Sequence, residues 1–531
     1  MGVYLNPGNQ AFRQALRSEI YVDKSDLISY TNQVMETERK NLCVSRPRRF
    51  GKSMAANMLC AYYCMGCDSE PLFGGLKIAE APSFREHLNR YNVLLLNMQQ
   101  FIRGAGKPEN FVDYLEQKVL GEVKEVYGSV IGESERHLSG ALASVYARNQ
   151  EPEAGFLFII DEWDCIFREM RADETVQKAY LDFLRDLLKD RTYVKLAYMT
   201  GILPIKKYGT HSALNIFDEF SMTDPGRLTS YVGFTEEEVQ RLCGKYDMDF
   251  EDAKQWYDGY VFEQDRHIYN PKSIVDAMYN GKFRSYWTRT ETYEALRHYM
   301  DMNFDGLRDS IVFMVGGGSC RINPEKFQND MTSFGSRDDV LTLLVHLGYL
   351  AFDETAQSVS IPNMEIAGEF RNAIDGSGGW EQLAAALNRS GHLLEATLRG
   401  EEETVAAAID AVHMEEVSVL AYHDENSLSC VITLAYFSAR KDYILIREFP
   451  TGKGFADIVF LPRKNVSKPA MVVELKWDRT AEGAIRQIRD KKYVETLKKY
   501  TGDILLVGIS YRKKSGRHQC VIERYRKEEA N

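Results

Sequence analysis

The sequence predicts an α/β protein: a doubly wound parallel sheet first, then a helical middle region, then a smaller C-terminal α/β domain. Three observations carry this. Asn41–Val44 is a short apolar strand that runs into a turn ending Gly51-Lys52-Ser53, after which Met54–Leu59 has helical composition. Phe156–Ile160 is a continuous apolar run, the pattern of a strand covered on both faces, and it ends on Asp161 and Glu162. Further apolar strands alternate with helical stretches, an order that builds a sheet with its ligands at the strand C-termini.

Strand, turn and helix in that order are the setting in which Gly-Lys-Ser means phosphate. Gly51 lets the backbone approach an anion, and the helix N-terminus offers unpaired N–H groups. Lys52 adds charge near the β- and γ-phosphates of ATP, and Ser53 can hold Mg2+. This is the second half of a P-loop, which makes the first domain a P-loop NTPase fold. In the first half, Arg46 stands where the leading glycine of G-x-x-x-x-G-K-[ST] falls, and Pro47, Arg48 and Arg49 fill the loop, with Arg48 the added nucleotide contact. Asp161 is expected to organise Mg2+ with Ser53, and Glu162 to polarise the attacking water. The strand Val194–Met199 ends in Thr200-Gly201, and Thr200 is the candidate sensor of the γ-phosphate.

A chain of 531 residues is too long for one core, so about two to four domains are expected. The division read here is 1–220, 221–400 and 401–531. With 44% hydrophobic and 27% charged residues the composition is that of an ordinary soluble protein. The apolar runs fall far short of the roughly 20 residues that span a bilayer. The N-terminus carries no basic-then-apolar signal, and Asn6 stands where a myristoylation motif needs Ser or Thr, so a cytoplasmic protein without a membrane partner is expected. Nine cysteines without regular spacing fit reduced thiols. Cys64-Met-Gly-Cys67 lacks a second ligand pair, and packing with Cys60 at a helix end is expected rather than zinc.

The net charge of −11 is unevenly placed. Between Arg486 and Lys527 there are 13 Lys and Arg against four acids, which leaves the rest of the chain at −20. A basic C-terminal face on an acidic body points to nucleic acid, DNA first, at that end. The middle region reads as helical, with stretches at Glu236–Leu242, Ile274–Met278 and Tyr293–Met300. Asp338–Leu347 followed by Gly348–Phe352 and Val359–Asn363 has the helix-plus-hairpin pattern of a winged helix. Asp375–Gly379 is a boundary before helices at Glu381–Leu387 and Glu403–Val412.

Near the C-terminus, Phe455–Pro462 is a strand carrying Asp457, and Met471–Trp477 is a strand carrying Glu474 and Lys476. Two residues apart on a strand, Glu474 and Lys476 share a face. Carboxylates on two strands with a lysine suit metal-assisted phosphodiester hydrolysis. Asp457 and Glu474 would bind Mg2+, while Lys476 positions or deprotonates water and offsets negative charge.

Tyr21–Ser25, the octet RPRRFGKS at Arg46–Ser53, Ile160–Asp164, Thr200–Pro204 and Ser212–Asn215 together resemble the bacterial AAA-ATPase-like family. Trp256–Phe262 and Ile268–Ser273 resemble its lid region. Members typically end in a PD-(D/E)XK nuclease-like domain of restriction-endonuclease-like fold, and the D-x16-E-x-K array matches that pattern. The resemblance covers nearly the whole chain. It implies that the missing P-loop glycine is normal, that Glu425 in Tyr422–Ile432 is the helix acid of the nuclease site, and that Gln487 is the glutamine of the following helix; for His423, packing or exposure is expected ahead of a role in the site. Arg227 is the residue to consider as an arginine finger. Two readings of function remain: an ATP-binding, ATP-hydrolysing protein coupled to a Mg2+-dependent nuclease, and a nucleotide-switched module that binds nucleic acid without cutting it. A live nuclease on an ATPase that barely turns over is a variant of the first, and assembly as a homo-oligomer is compatible with each.

Overall fold

The apolar strands of the first 220 residues form one sheet, with the helices running between them. The computed structural model describes the chain except residues 1, 149–154, 172, 206–213, 263–265, 288–292, 303, 329–333, 376–377, 417–424, 452–453, 464–465, 492, 494–496, 498–501 and 526–531. It divides into two compact units interleaved through the middle of the chain. One comprises Met1–Phe250, Asp258–Lys282 and Ile322–Gln357, and the other Glu251–Tyr257, Phe283–Arg321 and Ser358–Asn531.

The first unit is built on five parallel strands: β1 (Asn41–Ser45), β2 (Asn92–Asn97), β3 (Phe156–Asp161), β4 (Val194–Gly201) and β5 (Asp218–Phe220). Their spatial order is β2-β3-β4-β1-β5. All six residues of β3 are buried, as an apolar strand covered on both faces must be. Register places Ser45 beside Gly201, and Asp161 beside Asn97. The residues that end β1, β2, β3 and β4 therefore share one edge, the edge where open α/β sheets bind ligands. Helix α1 (Lys52–Tyr63) leaves the turn after β1 and buries one face against β3 and β4. Cys60 and Cys64 are buried at its C-terminal end, as expected of packing cysteines.

Beyond β5, helix α2 (Glu236–Tyr246) starts in a capping box, with the Thr235 side chain accepting from the Glu238 N–H and Glu238 accepting from the Thr235 N–H. A small antiparallel sheet lies beside it: β6 (Phe234–Thr235), β7 (Tyr260–Phe262) and β8 (Arg266–Tyr269), with β8 central. Helix α3 (Arg337–Leu347) is buried along most of its length and stops where Gly348 turns left-handed.

In the second unit, β9 (Tyr443–Thr451), β10 (Gly454–Pro462), β11 (Ala470–Trp477), β12 (Ile504–Arg512) and β13 (Arg517–Tyr525) form a mixed sheet in sequential order, and only the β11–β12 pair is parallel. One face meets helices α5 (Glu402–Glu416) and α6 (Glu425–Ala435), on which α4 (Glu381–Arg399) packs. There the Tyr436 ring lies 5.4 Å from Phe460, and His413 of α5 lies 4.8 Å from Tyr511. The other face meets α7 (Ala481–Asp490), whose Ile485 and Ile488 pack with Ala470, Val472 and Leu506. A Cβ on Gly508 would lie 2.4 Å from the Ala481 carbonyl, so the close approach of α7 to β12 requires glycine there. The helix expected at Glu381–Leu387 runs on to Arg399, because its apolar positions continue through Leu393, Leu394 and Ala396.

Candidate functional site

The turn between β1 and α1 takes its shape from two residues of positive φ, Arg49 at 69° and Gly51 at 93°. Gly51 is the N-cap of α1, and the space where its Cβ would stand is open, so the first N–H groups of the helix are approachable from above. Ser53 is exposed in that first turn, and so is Arg48 in the loop before it. Lys52, by contrast, is 4% exposed, and its Nζ donates to the carbonyls of Arg46 and Pro47 at 2.9 Å each. Burial lowers its pKa, and the nearby carboxylates of Glu162 and Asp161 oppose that shift.

Arg46 explains the irregular first half of the loop. Its side chain points into the protein, where Nη1 donates to the carbonyls of Ser45, Phe220 and Ser221 at 2.9 Å each. The guanidinium lies 5.6 Å from the Phe262 ring, and burial lowers its pKa to about 10. A glycine here would leave the ends of β1 and β5 without this tie.

Asp161 ends β3 at 4% exposure and accepts from the Thr200 hydroxyl at 2.5 Å and from Asn97 Nδ2 at 3.5 Å. Lys52, Asp161, Glu162 and Thr200 are thus brought to one place. Glu162 has φ of 56°, and its carboxylate is paired with Arg168. Arg168 Nε also donates to Asp164 at 3.1 Å, and Asp164 in turn accepts the N–H groups of Ile202 at 3.1 Å and Leu203 at 2.9 Å. Burial works against the charge on Arg168, but Asp164 and Glu162 outweigh it and raise the pKa. Sequence reasoning missed Arg168 and Asp164, although four-residue spacing of opposite charges was there to find. Removing one partner of a buried ion pair costs about 3–5 kcal/mol. Arg168→Ala is therefore expected to lower the melting temperature of the first unit sharply, and Arg168→Lys to recover part of the loss in the same scan. Arg227 is exposed on the single turn Gly226–Leu228.

The second cluster sits where β10 and β11 part. Their pairing stops at Ile458 and Val473, and the Asp457 carboxylate takes the Leu475 N–H at 2.6 Å, a donor the ladder has left unused. Glu474 lies on the α7 face of β11 at 1% exposure. Its Oε1 accepts from Lys476 Nζ at 2.8 Å and from Gln487 Nε2, while Oε2 is buried with no hydrogen-bond partner. Lys476 Nζ also donates to the Leu475 carbonyl at 3.0 Å, and Gln487 donates to the Tyr493 hydroxyl at 3.2 Å. Burial, and after it the charge of Asp457, raises the Glu474 pKa to about 7, against the pull of Lys476 and Lys491. Lys491 is a contributor that spacing alone did not reveal. A buried carboxylate oxygen without a partner, next to a second carboxylate, is what a divalent cation satisfies.

Glu425 opens α6, which packs on β11; its side chain, and all of His423, lie outside the described residues. The β12–β13 turn carries Arg512, Lys513, Lys514 and Arg517, all exposed. Because β11 and β12 are parallel, with Lys476 beside Ser510, this basic turn is at the same end of the sheet as Lys476. Lys492, Lys498, Lys499, Arg526 and Lys527 lie outside the described residues. Among the described residues no helix is long and apolar enough to cross a membrane.

Residues 8–210 match the family model of a predicted AAA-ATPase. Residues 423–520 match that of the PD-(D/E)XK nuclease superfamily. The chain therefore joins an AAA-ATPase-like domain to a C-terminal PD-(D/E)XK nuclease superfamily domain. No curated protein matches it. Among solved structures, Cdc6p from Pyrobaculum aerophilum is similar at 10% identity over 68% of this chain and 97% of its own, with a TM-score of 0.22, a likeness too slight to bear on function.

Proposed function

We propose that the protein is an ATP-binding, ATP-hydrolysing enzyme coupled to a Mg2+-dependent nuclease acting on nucleic acid, DNA first. The observation that carries the nuclease half is the buried, unpartnered Glu474 Oε2 beside Asp457, with Lys476 and Gln487 fixing the other oxygen. Mg2+ held by Asp457 and Glu474 would supply Lewis acidity toward a phosphodiester. Lys476 then orients a water and offsets charge, Gln487 holds Glu474 in place, and Glu425 is proposed as the additional acid from α6. The turn Arg512–Arg517 offers cations for the substrate backbone at the right end of the sheet.

In the first unit, Gly51, Arg48, Lys52 and Ser53 would receive the phosphates of ATP, with Lys52 exchanging its two carbonyl partners for phosphate oxygens. Asp161 and Ser53 would hold the accompanying Mg2+, Thr200 would read the γ-phosphate through its contact with Asp161, and Glu162 would act on water once released from Arg168. The three-domain division at 1–220, 221–400 and 401–531 is retained as a proposal, with ATP biasing the geometry that gates cleavage.

Purified protein is to be assayed on single-stranded DNA, double-stranded DNA and RNA, with Mg2+ or EDTA and with or without ATP. Cleavage that depends on Mg2+ is expected. Binding without cleavage under every condition would favour the nucleotide-switched module instead.

The Glu474 shift also sets a pH dependence. The folded carboxyl keeps its proton up to about pH 7, whereas an ordinary glutamate loses it near 4.5, so the metal-free fold binds the extra proton between those values. Its stabilising contribution is full below the unfolded pKa and is lost as pH rises through about 7. From about pH 5 to about pH 8 the metal-free melting temperature is expected to fall more in the natural protein than in Glu474→Gln. Mg2+ should restore it at the alkaline end.

A further inference from the structure

Outside both sites, three potential ligands converge in the first unit. Glu236 is the first residue of α2, Asp258 precedes β7, and His267 lies on β8 opposite Val261. One ligand atom from each falls within 4.8 Å of the others. His267 Nδ1 is 2.7 Å from Asp258 Oδ2 and 4.0 Å from Glu236 Oε2, and Asp258 is 8% exposed. The Gly259 N–H donates to the other Asp258 oxygen at 2.6 Å, which fixes the carboxylate.

A second observation comes from a different side chain. Tyr269, also on β8, is fully buried, and its hydroxyl forms no well-shaped hydrogen bond. It stands beside Asp258 and Glu236. Two carboxylates, an imidazole and a buried hydroxyl around one point are a donor set that a divalent ion satisfies.

We propose that Glu236, Asp258 and His267 form a binding site for a divalent first-row cation of the Mn2+ or Zn2+ class. The mixed nitrogen and oxygen donors select such an ion over Mg2+ or Ca2+, which prefer oxygen alone. The consequence for the fold follows from where the ligands originate. The ion cross-links α2 to the β7–β8 pair, and that pair packs on the phosphate-binding turn: the Tyr260 ring is 5.5 Å from Phe50, and Phe262 is the ring beneath Arg46. Occupancy therefore stiffens the surface on which the turn rests. The proposal uses neither the ATPase nor the nuclease reading.

The test uses the full chain carrying Asp457→Asn and Glu474→Gln, without nucleotide, so that the C-terminal acids cannot hold an ion. Titration with Mn2+ followed by electron paramagnetic resonance is expected to show one tightly bound equivalent with nitrogen coupling from imidazole, and a rise in melting temperature. Adding His267→Gln should remove the nitrogen signature, the bound equivalent and the thermal shift. Adding Glu236→Gln, a half-exposed position whose change leaves the core untouched, should weaken binding at least about tenfold. No bound Mn2+ in the parent, or a bound ion whose nitrogen coupling survives His267→Gln, overturns the proposal.

Discussion

Asp457→Asn is expected to abolish Mg2+-dependent cleavage while leaving the fold and ATP hydrolysis in place. Asparagine keeps a carbonyl to accept the Leu475 N–H, which Asp457 now takes at 2.6 Å, so the parting of β10 and β11 is preserved. What is lost is the carboxylate charge beside the buried Glu474 oxygen. Loss of a metal-binding charge removes about 4 kcal/mol of transition-state stabilisation, or roughly a thousandfold in rate. Asp457→Ala should be equally inactive but less stable, because it also strands the Leu475 donor. The measurements are initial cleavage rates, circular dichroism and phosphate release on the same preparations. Normal cleavage by Asp457→Asn would remove this residue from the site.

Lys52→Ala is expected to lower ATP affinity and phosphate release by roughly a hundredfold, since a charge-assisted contact to phosphate is worth about 1.5–3 kcal/mol. The substitution relieves the burial of an ammonium but takes the donor from the buried Arg46 and Pro47 carbonyls, and these effects offset, so the fold should tolerate it. If ATP gates the nuclease, this variant cleaves at the ATP-free rate whether or not ATP is added. A cleavage rate that still responds to ATP as in the natural protein would uncouple Lys52 from that control.

Much of both clusters was legible because their chemistry is local. Gly51-Lys52-Ser53 sits between a strand and a helix, Asp161 and Glu162 end an apolar run, and Glu474-x-Lys476 alternates on a strand. Each needs only its own period to be placed. What escaped depends on the chain returning to itself. Arg168 reaches Glu162 only because Glu162 adopts a left-handed φ, which a glutamate does not advertise. The inward turn of Arg46 is decided by carbonyls at the end of β5, some 170 residues later. In the C-terminal sheet, β10 and β11 were clear, whereas β12 lies in a stretch whose many basic residues look like a solvated face. Its apolar run Ile504–Ile509 is nonetheless fully buried. Similarly, Lys491 enters the field of Glu474 through the end of α7, a distance no spacing rule encodes.

One guanidinium nitrogen, that of Arg46, grips the exit of β1 and the exit of β5 together. The entrance to the phosphate turn and the polypeptide departing toward α2 are thereby moored to the same post. A displacement of one strand end is therefore passed to the other through three hydrogen bonds, with no hinge between them.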